Sequence, residues 1–239
     1  MLDKVETGKR DKPPRLLVWG PPGVGKSTFA AGAPDALFIC GESRTDHLDI
    51  SRIHVKSWQE VIDSIKALLA KEHPYKSVVF DTVDSLESLL FEALCEEQGV
   101  EIHEDIGGGF YKYRTYMNRK WKVFLKGIDR LTEAGIQCIL LAHAKTENFN
   151  PPDGESYERY ILKMDKAGGN FLVENVDLVG YAKFKTFVTK DKITKKGKAT
   201  TSGKRSLQFK FHPAYPTKQG VPFADEIDLS WEAFENGKP

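Results

Sequence analysis

The chain has 239 residues and a net charge of +1, with 40% apolar and 29% charged residues. This balance is typical of a soluble globular protein and excludes a disordered chain or a polycation. No apolar run approaches the ~20 residues that span a bilayer, so we expect a cytoplasmic protein with no membrane partner.

Short apolar runs alternate along the chain with segments of helical periodicity. We predict a polar lead-in over residues 1–14 and a single domain over residues 15–239. The apolar runs predict buried strands at residues 15–19, 36–40, 77–81 and 137–142. The periodic segments predict helices at residues 26–33, from the Ser57 and Glu60 capping box onward, at 86–94 and at 113–131. This alternation indicates an α/β fold with a mostly parallel sheet flanked by helices.

The pattern changes after residue 143. Residues 143–172 are polar, contain proline and glycine, and predict a long functional or mobile loop. Two β-like runs at 178–188 and 206–212 predict a C-terminal antiparallel β-hairpin extension that begins at about residue 177. Nine Lys or Arg residues and one Asp lie between Lys183 and Arg205. This basic segment is either a contact to phosphate backbone or a solvated hairpin tip.

A glycine-rich segment follows the first predicted strand and precedes the first predicted helix. Its residues are Gly20, Pro21, Pro22, Gly23, Val24, Gly25, Lys26, Ser27 and Thr28. They match the phosphate-loop pattern G-x-x-x-x-G-K-[ST], whose backbone N–H groups and helix start surround phosphates. We therefore predict a P-loop NTPase that binds ATP, with Lys26 on the β- and γ-phosphates and Ser27 on Mg²⁺. A chance glycine-rich turn is the alternative.

The third predicted strand ends in Asp81. In open α/β sheets, ligands bind beyond the carboxyl ends of the strands. Many strands end in aspartate without a function, but together with a complete phosphate loop Asp81 predicts a second Mg²⁺ ligand. Ser27 and Asp81 are thus the predicted metal residues.

Hydrolysis needs a group that positions or deprotonates the attacking water. The residue after Asp81 is Thr82 rather than glutamate, which departs from the AAA+ and ABC patterns. Glu42, just beyond the second strand, would face the γ-phosphate if that strand neighbours the first one. His143, at the end of the fourth strand, is a candidate γ-phosphate sensor. A surface glutamate and a structural histidine are the respective alternatives.

These elements, in this order, resemble the RecA-like ATPase core. More narrowly, the chain is similar to phage-encoded nucleotide-binding proteins, often labelled AAA-type, that act as single-strand-annealing recombination proteins. The resemblance covers about residues 15–230 and rests on segments 20–27, 37–42, 78–86 and 140–143. It implies a catalytic Glu42, an Mg²⁺-side Asp81, and His143 where RecA proteins carry glutamine. A phage protein would work in the host cytoplasm.

The resemblance also implies partners, namely single-stranded DNA, further copies of the chain and a single-strand-binding protein. In a homo-oligomer, Lys210 or Lys218 could complete a neighbour's ATP site in trans. Candidate DNA-binding residues are Lys112, Arg114, Lys145, Phe149, Arg159, Lys163 and Lys166. Cations that follow phosphates and aromatic rings that stack on bases are the usual combination for single strands.

Two other functions fit the phosphate loop. One is a small-molecule kinase, which would need an acceptor pocket, and the other is an ATP-dependent assembly factor with a protein partner and no DNA.

Overall fold

A computed structural model gives the fold of the chain. The structure describes residues 5, 7, 8, 10, 12–43, 45–190 and 197–238, and gives the backbone alone for residues 187–190 and 197–201. The predicted polar lead-in lies partly outside the described residues. The tip of the C-terminal hairpin, residues 191–196, lies wholly outside them.

The described residues form ten strands and six α-helices. In chain order these are β1 (Leu16–Gly20), α1 (Lys26–Ala31), β2 (Ala36–Cys40), β3 (Ser51–His54), α2 (Trp58–Ala70), β4 (Ser77–Asp81), α3 (Val83–Gln98), α4 (Tyr113–Glu133), β5 (Gln137–Phe149), β6 (Tyr157–Leu162), α5 (Lys166–Asn175), β7 (Leu178–Lys190), β8 (Gly197–Gln208), β9 (Lys218–Gln219), β10 (Glu226–Asp228) and α6 (Trp231–Asn236). No helix in the described part of the chain combines the length and apolar composition needed to cross a membrane.

All ten strands belong to one sheet in the order β10-β8-β7-β1-β5-β4-β2-β3, with β6 paired to β5 and β9 paired to β7. The six strands from β7 to β3 in this order pair in parallel. β8, β10, β6 and β9 pair antiparallel. This confirms the predicted fold class, a mostly parallel sheet with a C-terminal antiparallel extension.

Helices cover both faces of this sheet. On β1, Leu17 and Trp19 point into a core formed with α2, α3, α4 and α5. Leu16 and Val18 point to the opposite core, formed with α1 and α6. Because both faces are buried, the central strands are apolar throughout, which is why the sequence reveals them clearly.

The prediction of a long loop over residues 143–172 is wrong, because most of this segment forms strands and a helix. Strand β5 continues to Phe149, returns antiparallel as β6, and is followed by α5. Asp165 caps α5, since its carboxylate accepts hydrogen bonds from the N–H groups of Ala167 (2.8 Å) and Gly168 (3.4 Å). The hairpin is held by polar cross-strand pairs such as Glu147 opposite Arg159, so it carries no apolar run.

Candidate functional site

The predicted phosphate loop connects the end of β1 to α1. Gly23 and Gly25 have φ angles of 75° and 102°, which glycine adopts without steric cost. Gly20 and Pro21 provide carbonyl groups to Lys26, and Val24 is buried in the core beneath α1. The other loop residues line a cavity of about 260 Å³, namely Pro22, Gly23, Gly25, Lys26, Ser27 and Thr28.

Lys26 is 6% exposed and lines this cavity. Its ammonium group donates to the carbonyls of Gly20 (3.0 Å) and Pro21 (3.1 Å). Burial lowers the pKa of Lys26, and the nearby carboxylates of Asp84, Asp81 and Glu42 oppose this shift. An ammonium group has three donors, so one N–H of Lys26 can bind a phosphate oxygen while the loop holds the other two.

Ser27 and Asp81, the two predicted metal residues, are in direct contact. The Ser27 hydroxyl donates to Oδ2 of Asp81 at 2.7 Å. Burial raises the pKa of Asp81, and the hydrogen bond from Ser27 opposes this shift. A hydroxyl and a carboxylate beside a phosphate pocket form the kind of oxygen donor set that Mg²⁺ uses, so the residues present fit this ion.

His143 is held by Asp84, a residue to which the sequence analysis gave no role. Asp84 lies in the first turn of α3, where Oδ1 accepts the backbone N–H of His143 (2.9 Å) and Oδ2 pairs with Nδ1 (2.8 Å). Burial alone would raise the pKa of Asp84, but the hydrogen bonds from His143 lower it below its usual value. An ionised carboxylate only accepts, so Nδ1 of His143 donates this hydrogen bond, and Nε2 is the ring nitrogen that Asp84 does not contact.

Glu42 reaches the same cavity, although the strand arrangement suggested for it is wrong. Strand β2 does not neighbour β1, because β5 and β4 lie between them. The N–H of Gly41 donates to the carbonyl of Asp81 at 3.1 Å, which holds the segment after β2 beside the end of β4. Ligand atoms of Glu42, Asp84 and His143 all lie within 4.8 Å of one another.

Four residues without a predicted role also line the cavity: Thr45, His47, Thr82 and Arg205. Thr82 directly follows Asp81, and Asp84 lies two residues after Thr82, so a search for polar residues after the third predicted strand would have found both. Arg205 comes from β8, 179 residues beyond Lys26 in the sequence (205 minus 26). No local signal in the sequence links it to the phosphate loop.

Three of the predicted DNA-binding cations are engaged in the hairpin β5–β6 and its junction with α5. Arg159 donates twice to Glu147, at 3.0 and 2.7 Å, and its guanidinium lies 3.8 Å from the ring centroid of Phe149. Lys166 lies 3.6 Å from the same glutamate. Lys145 donates to the carbonyl of Met164 at 2.8 Å. In this cluster the cations therefore have internal partners.

Lys163, Lys112 and Arg114 are arranged differently. Lys163 is exposed, and Lys112 donates to the carbonyl of Gly107 at 3.1 Å. The guanidinium of Arg114 lies 4.5 Å from the ring centroid of Tyr111. Asp165, at the start of α5, accepts a hydrogen bond from the hydroxyl of Tyr113, at the start of α4, at 2.8 Å.

Glu87, on α3, contacts Asp165. Its Oε2 accepts the backbone N–H of Asp165 at 2.8 Å. Burial raises the pKa of Glu87 to about 8. Helix α3 thus carries both Asp84, which pairs with His143, and Glu87. Glu87 lies one turn later and accepts the N–H of Asp165, the N-cap residue of α5.

Lys210 and Lys218, the predicted trans-acting lysines, have partners within the chain. Lys210 pairs with Asp225 at 2.7 Å. Lys218 donates to the carbonyls of Val173 (3.3 Å) and Glu174 (2.6 Å) at the end of α5. Neither lysine lines the phosphate-loop cavity.

Comparison with known proteins gives one family match. The model of a family described as an AAA domain matches residues 12–221, which include every residue that lines the cavity. No curated protein matches the chain.

Proposed function

The chain belongs to the AAA domain family, whose members are P-loop ATPases, and from this we propose that it binds ATP together with Mg²⁺ and hydrolyses the nucleotide. The observation that carries the proposal is the contact of Ser27 with Asp81 (2.7 Å) beside the buried Lys26. A cation, a hydroxyl and a carboxylate thus face the cavity that the phosphate loop encloses. This is the set that nucleotide phosphates and their metal ion require.

Ser27 and Asp81 would hold Mg²⁺, which supplies neutralisation of the phosphate charge when bound. Lys26 binds phosphate oxygens, and the N–H groups of the loop surround them. Glu42 accepts a proton from the water that attacks the γ-phosphorus. The bond from that phosphorus to the β–γ bridging oxygen breaks, and ADP and phosphate leave. His143, oriented by Asp84, directs Nε2 to the γ-phosphate side.

Calorimetric titration with ATP, in Mg²⁺ and in EDTA, tests the proposed metal site. We expect saturable binding that weakens in EDTA by about tenfold or more, because two hard oxygen ligands and the phosphates share the ion. In Asp81→Asn the difference between the two buffers should shrink. Asp63→Asn, which alters an exposed carboxylate on α2, is the matched control and should retain the full difference. Equal affinity in both buffers for the wild-type protein would contradict the metal assignment.

We further propose that the ATPase binds single-stranded DNA, as the resemblance to single-strand-annealing recombination proteins implies. Support comes from the turn before α4, where Phe110 is 93% and Tyr111 67% exposed. Both have positive φ angles, 51° and 59°, which non-glycine residues rarely adopt and which are enriched at functional sites. Lys112 and Arg114 follow these rings directly, and Arg114 lies 4.5 Å from the centroid of Tyr111, so aromatic faces and cations stand together at this turn.

Contacts within the chain connect this turn to the ATP cavity. Tyr113 contacts Asp165, whose N–H is held by Glu87 on α3. The same helix carries Asp84, which holds His143. A shift of α3 on nucleotide binding would therefore reach the turn through two hydrogen bonds, and we propose that ATP strengthens DNA binding by this route.

Fluorescence anisotropy of a labelled single-stranded oligonucleotide tests this proposal. The double variant Phe110→Ala/Tyr111→Ala should bind about tenfold or more weakly than the wild type, since each stacked base contributes ~1–3 kcal/mol. Phe211→Ala is the matched control, because Phe211 is an exposed ring (76%) just beyond β8. No saturable binding by the wild type, with or without ATP, would contradict the DNA proposal and leave the ATPase proposal in place.

A further inference from the structure

Arg205 lies at an irregular position of the C-terminal hairpin. It stands opposite Phe184 on β7, but the next registered pair is Thr186 with Thr201, so β8 contains two more residues than β7 over this stretch. Gly203, in the middle of the extra segment, has a φ of 73°. Such bulges bend a strand and redirect side chains, and they are frequent beside active sites. Here the strand resumes its pairing at Arg205.

The guanidinium of Arg205 lies directly against the phosphate loop. A Cβ atom built on Gly25 would come within 2.6 Å of Nη1 of Arg205. The arginine also lines the cavity that contains Lys26, Ser27 and Asp81. The guanidinium also lies 5.4 Å from the ring centroid of Phe184, a distance at which an aromatic face attracts a cation. The phosphate-loop backbone and the Phe184 ring are thus the neighbours of the charged group where it lines the cavity.

Within the described part of the chain, Arg205 forms no ion pair with an acidic residue, unlike several other arginines. Arg15, Arg52 and Arg159 each form an ion pair with an aspartate or glutamate at 2.7–2.9 Å. For Arg205, no carboxylate lies within ion-pairing distance among the residues that the structure describes. A guanidinium that faces a phosphate-binding cavity without an internal carboxylate partner is available to an external anion.

We propose that Arg205 binds the phosphate chain of the nucleotide from within the same polypeptide and completes the phosphate site in cis. This inference rests on the proposed ATP binding, and it adds to the phosphate site a side chain from outside the phosphate loop. The planar guanidinium presents parallel N–H groups that match phosphate oxygens. Binding through Arg205 would also tie β8, and with it the basic hairpin, to the nucleotide state of the cavity.

Nucleotide affinity of arginine variants tests the proposal. In Arg205→Ala, the Kd for ATP with Mg²⁺ should rise by about 10-fold to 100-fold, the range for one lost charge-assisted hydrogen-bonded contact. Arg205→Lys keeps the positive charge but loses the parallel N–H groups of the guanidinium, so its Kd for ATP should lie between those of the alanine variant and the wild type. Arg130→Ala is the matched control, since it removes an exposed arginine in the last turn of α4, beside Asp129 and Arg15 at the other end of β1. It should bind ATP as the wild type does.

Hydrogen–deuterium exchange provides a second measurement that does not depend on affinity. At saturating ATP, amides of residues 202–206 should exchange more slowly in the wild type and Arg130→Ala, but not in Arg205→Ala. If Arg205→Ala matches Arg130→Ala in both measurements, the inference is overturned while ATP binding stands. If the wild type binds no ATP, the proposed function fails and the inference fails with it.

Discussion

Replacing Glu42 by glutamine is expected to lower kcat for ATP hydrolysis by about 10²–10⁴-fold, with little change in the Kd for ATP. Glutamine keeps the size of the side chain but cannot accept a proton from water. Glu42 and His143 line the cavity, and ligand atoms of Glu42, Asp84 and His143 lie within 4.8 Å of one another. The loss should therefore appear in the chemical step, while Lys26 and Ser27 continue to bind the nucleotide.

Phosphate release and calorimetric binding, measured on the same preparations, separate these two effects. Glu72→Gln is the matched control, because Glu72 is an exposed carboxylate after α2 that does not line the ATP cavity. Its kcat should equal that of the wild type. A Glu42→Gln variant that hydrolyses ATP at the wild-type rate would show that another group handles the proton.

Replacing Lys26 by alanine is expected to weaken ATP binding by about 10²–10³-fold. Three carboxylates, those of Asp84, Asp81 and Glu42, act on the charge of Lys26. Without this buried cation, those carboxylates and the triphosphate would face one another uncompensated in a poorly solvated cavity. The variant should also lose hydrolysis, because the phosphates are no longer held against the loop.

Calorimetry measures the loss of affinity, and Lys71→Ala, an exposed lysine at the end of α2, controls for the change in net charge. We expect the control to bind ATP with unchanged affinity. Wild-type affinity in Lys26→Ala, with an unaltered circular dichroism spectrum, would contradict the assignment of the cavity to phosphate.

The parts of the fold that the sequence predicts well are those with local signals. The central strands are buried on both faces, so they read as continuous apolar runs, and α4 shows its buried face through Met117, Trp121 and Phe124. The hairpin β5–β6 lacks such a signal. Its stability comes from pairs such as Glu147 with Arg159, which are recognisable only once the register is known.

The candidate site likewise contains residues that local patterns predict and residues whose positions depend on strand pairing. Lys26, Ser27 and Asp81 belong to contiguous patterns at the ends of two strands, so their positions follow from the sequence. Glu42 reaches the cavity through pairing of β2 with β4, not through the suggested contact of β2 with β1. Arg205 depends on a bulge in a strand pair, which shifts the register by two residues and leaves no periodic trace.

ATP hydrolysis by this cavity is tested by following ADP and phosphate formation from ATP by the purified wild-type protein, with Lys26→Ala prepared in parallel as the blank. We expect equal amounts of ADP and phosphate, formed only with Mg²⁺, and none above background with Lys26→Ala. Indistinguishable rates for the wild type and Lys26→Ala, with DNA present and absent, would contradict the claim that this cavity hydrolyses ATP.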